Sequence, residues 1–260
     1  MSSIAIMQPY VFPYIGYFQL VYAADVFVFY DDVNYINRGW INRNRILVNG
    51  KDLLFSIPCK DASQNKLIMD VELMDDPKAF QKILATLKMA YSKAPYFSEV
   101  YQLVEQILMA ENKAVVTTSV PSSVFPTLQM EIMEEQRGKT ISQLAIDSVI
   151  GICDYLGLEK TYKISSEEYN NRELKKADRL IDICHLEGID HYINASGGKE
   201  IYTKEYYGGK GVKLNFLMSE KVVYPQFKNE FVPWLSIIDI LMFNSKEEIT
   251  TKILPAYHLD

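Results

Sequence analysis

The sequence predicts an α/β protein with a doubly wound, mainly parallel, Rossmann-like sheet. Two observations predict this fold. Single β-type segments alternate with helical segments over most of the 260 residues, as in parallel sheets with right-handed crossovers. The β-type segments are also continuous apolar runs, which is typical of strands buried on both faces. A small β-hairpin excursion and C-terminal helices complete the predicted architecture, and we expect residues 1–260 to form a single α/β domain.

The chain opens on a strand, a loop, a helix and a second strand. SIAIMQP is a short β-type run, YIGYFQLVYAA has apolar residues at helical spacing, and DVFVFYDDV is a β-branched and aromatic run. Together these segments predict a βαβ unit. The loop after its first strand is expected at the carboxyl edge of the sheet, where open parallel sheets bind their ligands.

Residues 36–60 predict a hairpin insertion. Asn49-Gly50 lies there between two β-type runs, and this dipeptide is a strong signal for a two-residue hairpin turn. The two runs are therefore expected to form a small antiparallel excursion from the parallel sheet.

Residues 77–139 predict a helical insertion. Residues 77–93 and 96–112 have helical periodicity, and Asp76 followed by proline is a typical N-cap and first helical residue. Residues 119–139 mix prolines and serines with an amphipathic run. We interpret this last stretch as a mobile connection or lid.

Residues 140–260 predict a second α/β half with C-terminal helices. The helical segments TISQLAIDSVIGICDYLGL and KKADRLIDICHLEG each carry a glycine stop signal, and they alternate with β-type segments. Near the C-terminus, WLSIIDILMF and SKEEITTKIL predict two helices that pack on the sheet.

Composition and charge exclude several classes of protein. The formal net charge of −6 argues against a broad basic surface, so we expect no nucleic-acid partner. Cys59, Cys153 and Cys184 form no CxxC pair, so they predict neither a zinc knuckle nor a disulfide framework. The histidines show no metal-ligand spacing, and no metal ligands are predicted.

The same composition suggests where the protein acts. The N-terminal residues lack the basic and apolar regions of a signal peptide, and no apolar run reaches the roughly 18 residues that cross a bilayer. We therefore expect a cytoplasmic protein without a membrane span. The sequence leaves the oligomeric state open, a homodimer included.

The first loop, residues 8–17 (QPYVFPYIGY), is the first candidate site. Its last four residues resemble the HIGH motif of nucleotidylyltransferases and class I synthetases, with tyrosines in place of both histidines. In those enzymes the glycine lets a nucleotide approach the helix N-terminus, and the histidines donate to its phosphates. The resemblance implies a nucleotidylyltransferase-like or HUP-like sheet.

A tyrosine donates a hydrogen bond but stays neutral near pH 7, so the loop predicts the same binding place with a different chemistry. The alternative is an aromatic helix start packed into the core. From this loop we predict Tyr14 and Tyr17 as catalytic residues, and Gln8, Pro9, Tyr10 and Gly16 as substrate- or phosphate-binding residues.

The basic segment RGWINRNR, residues 38–45, is the second candidate. Guanidinium groups suit phosphate or carboxylate, and an indole face suits a sugar, a base or an acyl chain. A basic cluster in an acidic chain favours an anionic ligand over the alternative, a solvated hairpin edge. The predicted binding residues of this segment are Arg38, Trp40, Asn42, Arg43 and Asn44.

Asp31 and Asp32 close the second predicted strand, and we predict them as catalytic. A carboxylate pair could bind Mg²⁺ beside phosphates, orient an amine, or act as a base with a raised pKa. The alternative is that one of the two caps the following turn. Ser165 follows another predicted strand, and we predict it as a binding residue at the same edge of the sheet, against the alternative of a capped helix start.

Ser196, Gly197, Gly198 and Lys199 follow a predicted strand and open a short helix. Two glycines and a lysine in this place resemble a phosphate-binding turn, in which backbone N–H groups and an ammonium meet an anion. The spacing is not that of a P-loop, and an ordinary loop is the alternative. We predict all four residues as phosphate-binding.

The chain also resembles a known family. QPYVFPYIGYFQLVYAADVFVFYDDVNYINRGWINRNRI resembles the opening signature of the WbqC-like protein family. LAIDSVIGICDYLGL, KKADRLIDICHLEGIDHYINASGGKEIY and FVPWLSIIDILMF resemble its later blocks in the same order. Members of that family occur with bacterial genes for surface polysaccharides, notably O-antigen sugars. The resemblance implies a biosynthetic enzyme that acts on nucleotide-linked or lipid-linked sugars.

The leading hypothesis is a transferase that modifies a nucleotide-linked amino sugar by acyl or aminoacyl transfer. The first loop and the turn at residues 196–199 would hold the phosphates, and RGWINRNR would hold the sugar or the acyl donor. Asp31 or Asp32 would deprotonate or orient the amine. Acyl-CoA or another acyl donor, and Mg²⁺, stay open as cofactors. The alternatives are a nucleotidyltransferase or ATP-dependent ligase of the HIGH type, and a non-catalytic sugar-nucleotide-binding protein.

Overall fold

The computed structural model describes residues 2–110, 139–228 and 230–260 of the chain. The strands are β1 (Ile4–Met7), β2 (Val26–Phe29), β3 (Arg43–Val48), β4 (Lys51–Ser56), β5 (Thr161–Ile164), β6 (His191–Ala195), β7 (Lys213–Ser219) and β8 (Tyr257–Leu259). The helices are α1 (Ile15–Ala23), α2 (Pro77–Tyr91), α3 (Phe97–Met109), α4 (Ile141–Leu156), α5 (Ser165–Glu168), α6 (Lys176–Leu186), α7 (Lys204–Gly208), α8 (Ile237–Phe243) and α9 (Lys246–Glu248).

Over these ranges the main sheet has six strands in the order β5-β2-β1-β6-β7-β8. The first five are parallel, and β8 pairs antiparallel with β7. Numbered along the chain, the parallel strands have the order 3-2-1-4-5 of Rossmann-type sheets, in which the ligand crevice lies where the order reverses. Here the reversal lies between β1 and β6. The predicted mixed α/β fold with a mostly parallel sheet is confirmed.

Helices cover both faces of the sheet. Ala5 and Phe27 face a large core that also contains side chains of α1 and α4. Ile4 and Val28 face a second core with side chains of α6 and α7. Because successive residues of a strand point to opposite faces, burial of both faces requires the continuous apolar runs that the sequence shows.

Helix α1 is buried on nearly all sides. Residues Gly16 to Val21 are all buried, as expected for a helix that is apolar around its circumference. The amide of Gln19 is also buried and donates to the backbone oxygens of Ile253 (3.0 Å) and Ala256 (2.9 Å). These bonds fix α1, and the first loop that leads into it, against the C-terminal part of the chain.

The predicted hairpin forms from β3 and β4, which pair with each other and not with the main sheet. At its tip, Asn49 and Gly50 have φ values of 50° and 76°, the left-handed pair that a tight hairpin turn requires. The segment before β3 contacts the first loop, because the Val11 N–H donates to the Ile41 carbonyl at 3.0 Å. The hairpin therefore lies against the carboxyl edge of β1.

Helices α2 and α3 form the described part of the predicted helical insertion. Asp76 caps α2 by accepting from the N–H groups of Lys78 (3.1 Å) and Ala79 (3.2 Å), as the sequence indicates. α3 packs between α2 and α4. Of the predicted lid at residues 119–139, residues 119–138 lie outside the described part.

Two features of the fold were not predicted from the sequence. One is β8, which extends the sheet beyond β7 through the pairs Leu217–Leu259, Met218–His258 and Ser219–Tyr257. Three residues are too few for a periodic pattern.

Within the described ranges, the structure contains no helix that is long and apolar enough to cross a membrane.

The second unpredicted feature is a buried hydrogen-bond network around Asp239 of α8. Its carboxylate is fully buried and accepts from the hydroxyls of Tyr91 (2.8 Å) and Tyr224 (2.6 Å) and from the amide of Gln226 (2.7 Å). The Tyr91 hydroxyl in turn accepts from the Leu47 N–H at 2.7 Å. Burial raises the pKa of Asp239, and the three donors oppose that rise. The network joins α2, β3 and α8.

The Tyr91 hydroxyl gives a test of this network. In Tyr91→Phe, the Leu47 N–H and one oxygen of Asp239 lose their partner in a buried place, so the free energy of unfolding should fall by about 1–3 kcal/mol. Tyr206→Phe is the matched control, because Tyr206 is exposed and donates to Asp178 at the surface. Its free energy of unfolding should stay close to that of the wild type. Equal urea midpoints for both variants would contradict a structural role for the network.

Candidate functional site

The carboxyl ends of the parallel strands bring the predicted residues to one edge of the sheet in three groups. The first loop follows β1 and lies beside the hairpin. The aspartates follow β2 and meet the serines that follow β5. The turn at residues 196–199 follows β6.

The backbone of the first loop is fixed at Phe12. The Phe12 N–H donates to the Ser148 hydroxyl at 3.0 Å, and its carbonyl accepts from Asn44 (2.6 Å) and Ser236 (2.7 Å). Phe12 has a φ of 42°, a left-handed conformation that persists where surrounding bonds enforce it. Asn44, a predicted binding residue, therefore supports the loop from within the protein.

The tyrosines of the first loop divide into buried and partly exposed residues. Tyr17 is 2% exposed, and its hydroxyl donates to the Gln8 carbonyl at 3.0 Å. Tyr10 and Tyr14 are only partly buried, and the Tyr10 hydroxyl donates to the Gln8 side chain at 3.3 Å. Pro9 is buried. Burial raises the pKa of all three tyrosines, so their hydroxyls are neutral hydrogen-bonding groups, and Tyr17 holds the loop from the core side.

Gly16 makes room for the ring of Tyr14. A Cβ atom on Gly16 would lie 2.5 Å from the Tyr14 ring, so that ring covers the first turn of α1. On its other side, Tyr14 makes an edge-on contact with Trp234, with ring centroids 6.0 Å apart. Trp234 is 64% exposed and has a φ of 62°. In this structure the space left by the glycine is filled by an aromatic side chain of the same loop.

Most polar groups of RGWINRNR build the hairpin. Arg43 donates to the carbonyls of Gly39 (2.7 Å) and Arg38. Asn42 accepts from Tyr35 at 2.7 Å and donates to a backbone carbonyl across the hairpin. The side chains of Asn42 and Arg43 therefore already have protein partners.

Trp40 and Arg38 are the exposed residues of this segment. Trp40 is 42% exposed, and the guanidinium carbons of Arg43 and Arg45 lie 5.6 Å and 5.2 Å from the centre of its ring. Arg45 also pairs with Asp52 at 3.3 Å. Trp40 thus presents an indole face in a basic surrounding, which is the part of the prediction that stays open to a ligand.

The turn after β6 forms a short 3₁₀ helix, Ser196–Glu200. The Lys199 ammonium pairs with Asp260 and lies 5.9 Å from the centre of the Phe216 ring. Hydrogen bonds from Lys199 and Lys204 hold the pKa of Asp260 below its usual range. The positive charge of this turn is therefore compensated within the protein, while Gly197 has open space beside it.

Asp31 and Asp32, which follow β2, are each 3% exposed. One oxygen of Asp32 accepts from Arg172 Nε (2.9 Å) and from Arg179 Nη2 (2.5 Å), and the other accepts from the Ser165 hydroxyl (2.5 Å). Asp32 is thus the shared acceptor of two guanidinium groups. Ser165, a predicted binding residue, is fully buried and joins both aspartates.

Asp31 has different partners. It accepts from the backbone N–H (3.0 Å) and hydroxyl (2.8 Å) of Ser166, and from the hydroxyls of Ser165 (3.1 Å) and Ser142 (3.4 Å). All of these donors are neutral. Among the described residues, no cationic side chain pairs with Asp31. Ser166 is the only one of the three serines that is partly exposed.

These surroundings move the two pKa values in opposite directions. Burial raises the pKa of Asp31, and the serine hydrogen bonds offset that rise only in part. Burial also acts on Asp32, but the hydrogen bonds and charge of Arg179, with the bonds from Ser165 and Arg172, hold its pKa below the usual range. Neighbouring carboxyls whose pKa values diverge in this way are suited to separate acid, base and electrostatic roles.

Arg172 and Ser142 were missed by sequence reasoning. Both lie more than 100 positions from the aspartates that they contact, at separations of 140 and 111 residues. The sequence indicated these partners only indirectly: two adjacent aspartates at a strand end need hydrogen-bond donors if they are buried, but the pattern does not say which residues donate. Arg179 of α6 is likewise buried, with its guanidinium 4.8 Å from the centre of the Tyr30 ring.

Two open depressions lie at the opposite, amino edge of the strands. One, of about 420 Å³, is lined by Lys204, Gly208 and the start of β7. The other, of about 410 Å³, is lined by His185 and residues before β6. Neither contains a predicted site residue, so side-chain chemistry and not concavity places the candidate site at the carboxyl edge. Within the described ranges, the structure has no group of three or more His, Cys, Asp or Glu residues placed to hold a metal.

The two aspartates should differ in their effect on stability. Asp32→Asn leaves the buried Arg179 without a charged partner and should cost about 3 kcal/mol or more at pH 7. Because the folded pKa of Asp32 is lowered, its stabilisation exists above the unfolded pKa and is lost as pH falls through the folded value. The difference in stability between wild type and Asp32→Asn should therefore begin to narrow below about pH 4, the usual pKa of an aspartate, and go on narrowing as pH falls further.

Asp31→Asn is the matched control for that experiment. The folded pKa of Asp31 is raised, so its ionised form costs stability as pH rises, and the variant should lose less than Asp32→Asn at pH 7. Urea unfolding from pH 3 to pH 7 measures both variants. Equal losses, or a gap for Asp32→Asn that does not change with pH, would contradict the described ion pairs.

Gly16→Ala tests the position of the Tyr14 ring. The added methyl group would displace Tyr14 from the first turn of α1 and change the surroundings of Trp234, so tryptophan fluorescence should shift in a Trp40→Phe background. Gly208→Ala is the control, because nothing lies within 4 Å of the Cβ position there. Identical emission spectra for both alanine variants would show that the ring does not lie over the helix start.

Comparison with known proteins places the chain in a family. A model of the WbqC-like protein family matches residues 8–133 and 122–251. The uncharacterized protein Rv1507c of Mycobacterium tuberculosis is 23% identical over 242 residues, which are 93% of each chain. No solved structure matches the sequence. The family model spans the first loop, the hairpin, the aspartates and the network around Asp239, and on this match the chain belongs to the WbqC-like protein family.

Proposed function

We propose that this protein is a transferase that modifies a nucleotide-linked amino sugar by acyl or aminoacyl transfer, in the cytoplasmic synthesis of a bacterial surface polysaccharide such as an O-antigen. The observation that carries the proposal is the asymmetric aspartate pair at the carboxyl edge of a sheet with Rossmann-type strand order. Family membership supports a role in the synthesis of a surface polysaccharide, and the aspartate pair supports a transfer reaction.

The nucleotide-linked substrate is assigned to the crevice where β1 ends. In sheets with this strand order the crevice lies beside the order reversal, and the first loop and α1 start there. We propose that the sheet is of the nucleotidylyltransferase or HUP type. Gln8, Tyr10 and Tyr14 present neutral polar groups at this place, and such groups suit holding a sugar-nucleotide better than cleaving its phosphoanhydride.

Asp31 is assigned as the general base. A base needs a pKa closer to the working pH than that of an ordinary carboxylate, and burial raises the pKa of Asp31. Because Asp31 is buried, the partly exposed Ser166 hydroxyl, 2.8 Å away, would pass the proton. In the reaction the amine nitrogen forms the amide C–N bond, the acyl–heteroatom bond of the donor breaks, and the amine proton moves through Ser166 to Asp31.

The acyl donor is assigned to the exposed indole of Trp40 and to Arg38. An indole face with neighbouring guanidinium groups suits an acyl chain or a base that carries phosphates, which is the chemistry of an acyl-CoA. Arg38 is exposed two residues before it in the chain. Mg²⁺ remains a candidate companion of the phosphates.

Isothermal titration with a panel of nucleotide-sugars and acyl-CoA donors tests the proposal. At least one of each class should bind, and Tyr14→Phe should weaken nucleotide-sugar binding by about 2- to 10-fold, the effect of one hydrogen bond. Tyr206→Phe, at an exposed position outside the site, should bind as the wild type does. No binding by any panel member at millimolar concentration would reject the proposal.

A non-catalytic sugar-nucleotide-binding protein is the second candidate, and the 3% exposure of both aspartates favours it. The variant Asp31→Asn distinguishes a transferase from a binding protein. Its ligand affinity and its reaction rate are measured in vitro with the ligands that titration identifies. A transferase should keep its affinity and lose about 10²-fold or more of its rate. Unaltered polysaccharide output in cells with Asp31→Asn would favour the binding protein, whereas pyrophosphate release from a nucleoside triphosphate would favour the nucleotidyltransferase or ligase.

A further inference from the structure

Arg172 is an exposed arginine with a fixed side chain. Its Nε donates to Asp32 at 2.9 Å, its Nη2 contacts the sulfur of Met69 at 3.5 Å, and its side chain is 46% exposed. Its Nη1 has no acceptor among the described residues. An exposed arginine normally loses considerable side-chain entropy when it binds a ligand, and the bond to Asp32 has already removed part of that freedom.

The partner of Arg172 is itself held in place. The Asp32 side chain is fully buried, and the same oxygen accepts from Arg179, whose side chain is 4% exposed. Arg179 is fixed in turn by its Nε bond to Asn171 at 2.9 Å. Asp32 cannot move towards solvent without leaving Arg179 as an unpaired buried charge. The orientation of Arg172 is thus set by a buried ion pair.

The charges of Asp32, Arg172 and Arg179 do not cancel. Two guanidinium groups share the one carboxylate of Asp32, which leaves a single positive charge, and Arg172 is the member that faces solvent. Lys175 adds a second exposed positive charge, an ammonium that donates to the Arg172 carbonyl at 2.9 Å. Asp31 takes only neutral donors, so it does not occupy the guanidinium of Arg172. Exposed Glu173 and Glu168 are the nearest acidic residues along the chain, and Glu168 pairs with Lys163 at 3.5 Å.

The group also lies beside the proposed substrate crevice. The Tyr30 N–H donates to the Met7 carbonyl at 2.8 Å, so Asp32 is two residues beyond the bond that joins the ends of β1 and β2. Neighbouring strands are about 4.8 Å apart, and the first loop leaves β1 at this point. A phosphate held by Arg172 would therefore lie close to the loop that we assign to the nucleotide-linked sugar.

We infer that Arg172 is the phosphate-binding residue of this site, held in place by Asp32 and Arg179, and that its ligand is the pyrophosphate of a nucleotide-linked substrate. A guanidinium fork matches two phosphate oxygens, and the outer N–H groups of Arg172 are available for them. The inference rests on the proposed function for the nature of the substrate. The anion-binding step can be measured without it.

The experiment compares pyrophosphate binding by wild type, Arg172→Gln and Arg172→Lys in isothermal titration. Arg172→Gln should bind inorganic pyrophosphate at least tenfold more weakly. The affinity of Arg172→Lys should lie between those of wild type and Arg172→Gln, because lysine keeps the positive charge and loses the guanidinium fork. Lys60→Gln is the matched control: Lys60 is a half-exposed cation in an ion pair with Glu72 (3.1 Å), and its removal should change affinity less than twofold.

A second arm repeats the titrations with the same panel of nucleotide-sugars that tests the proposed function, its nucleotide-linked amino sugars included. Pyrophosphate binding that depends on Arg172, with no nucleotide-sugar bound, keeps the assignment of Arg172 and rejects the proposed function. Nucleotide-sugar binding that is unchanged in Arg172→Gln overturns the assignment and leaves the function standing. Absence of pyrophosphate binding at 10 mM by the wild type also overturns it. Thermal melting of each variant checks that the fold is intact.

Discussion

Two carboxylates are buried where β2 ends, and each needs hydrogen-bond donors from the protein. The structure around them follows from that requirement. Asp32 takes Arg179 and a second arginine, and Asp31 takes donors from Ser142 of α4 and Ser166 of α5. An unpaired buried carboxylate would cost several kcal/mol. The ends of α4, α5 and α6 are therefore fixed together at the carboxyl edge of the sheet, although they are remote in sequence from β2.

The same arrangement explains how adjacent, identical side chains acquire different chemistry. Cationic donors hold the pKa of Asp32 below its usual range, whereas burial raises the pKa of Asp31 and its neutral donors offset that rise only in part. Asp32 therefore holds two guanidinium groups, and Asp31 is the carboxyl to which we assign proton transfer. Position in sequence does not distinguish the two residues; the elements that pack against each one do.

The first loop keeps the residue spacing of the HIGH motif, but it has different side chains at the two histidine positions. Tyr14 and Gly16 retain the spacing of the HIGH motif, but the space beside Gly16 holds the Tyr14 ring. Tyr17, at the second histidine position of that frame, is a core residue whose hydroxyl supports the loop. The alternative weighed from the sequence, a packed aromatic helix start, thus describes Tyr17, and the binding role of the loop stays a prediction. The catalytic roles of Tyr14 and Tyr17 remain predictions.

The sequence by itself determined the parallel strands of the main sheet, the hairpin at Asn49-Gly50 and the longer described helices, because apolar periodicity, caps and turn residues are local properties. It also placed the aspartates and the first loop at one edge, since strand ends follow from the strand assignment. Only the tertiary structure decided that β8 joins the sheet, that Arg172 and Arg179 share Asp32, and that Asn42, Arg43 and Asn44 are used internally. These outcomes depend on contacts between residues far apart in the chain, and no local pattern records which distant donor a buried group will meet.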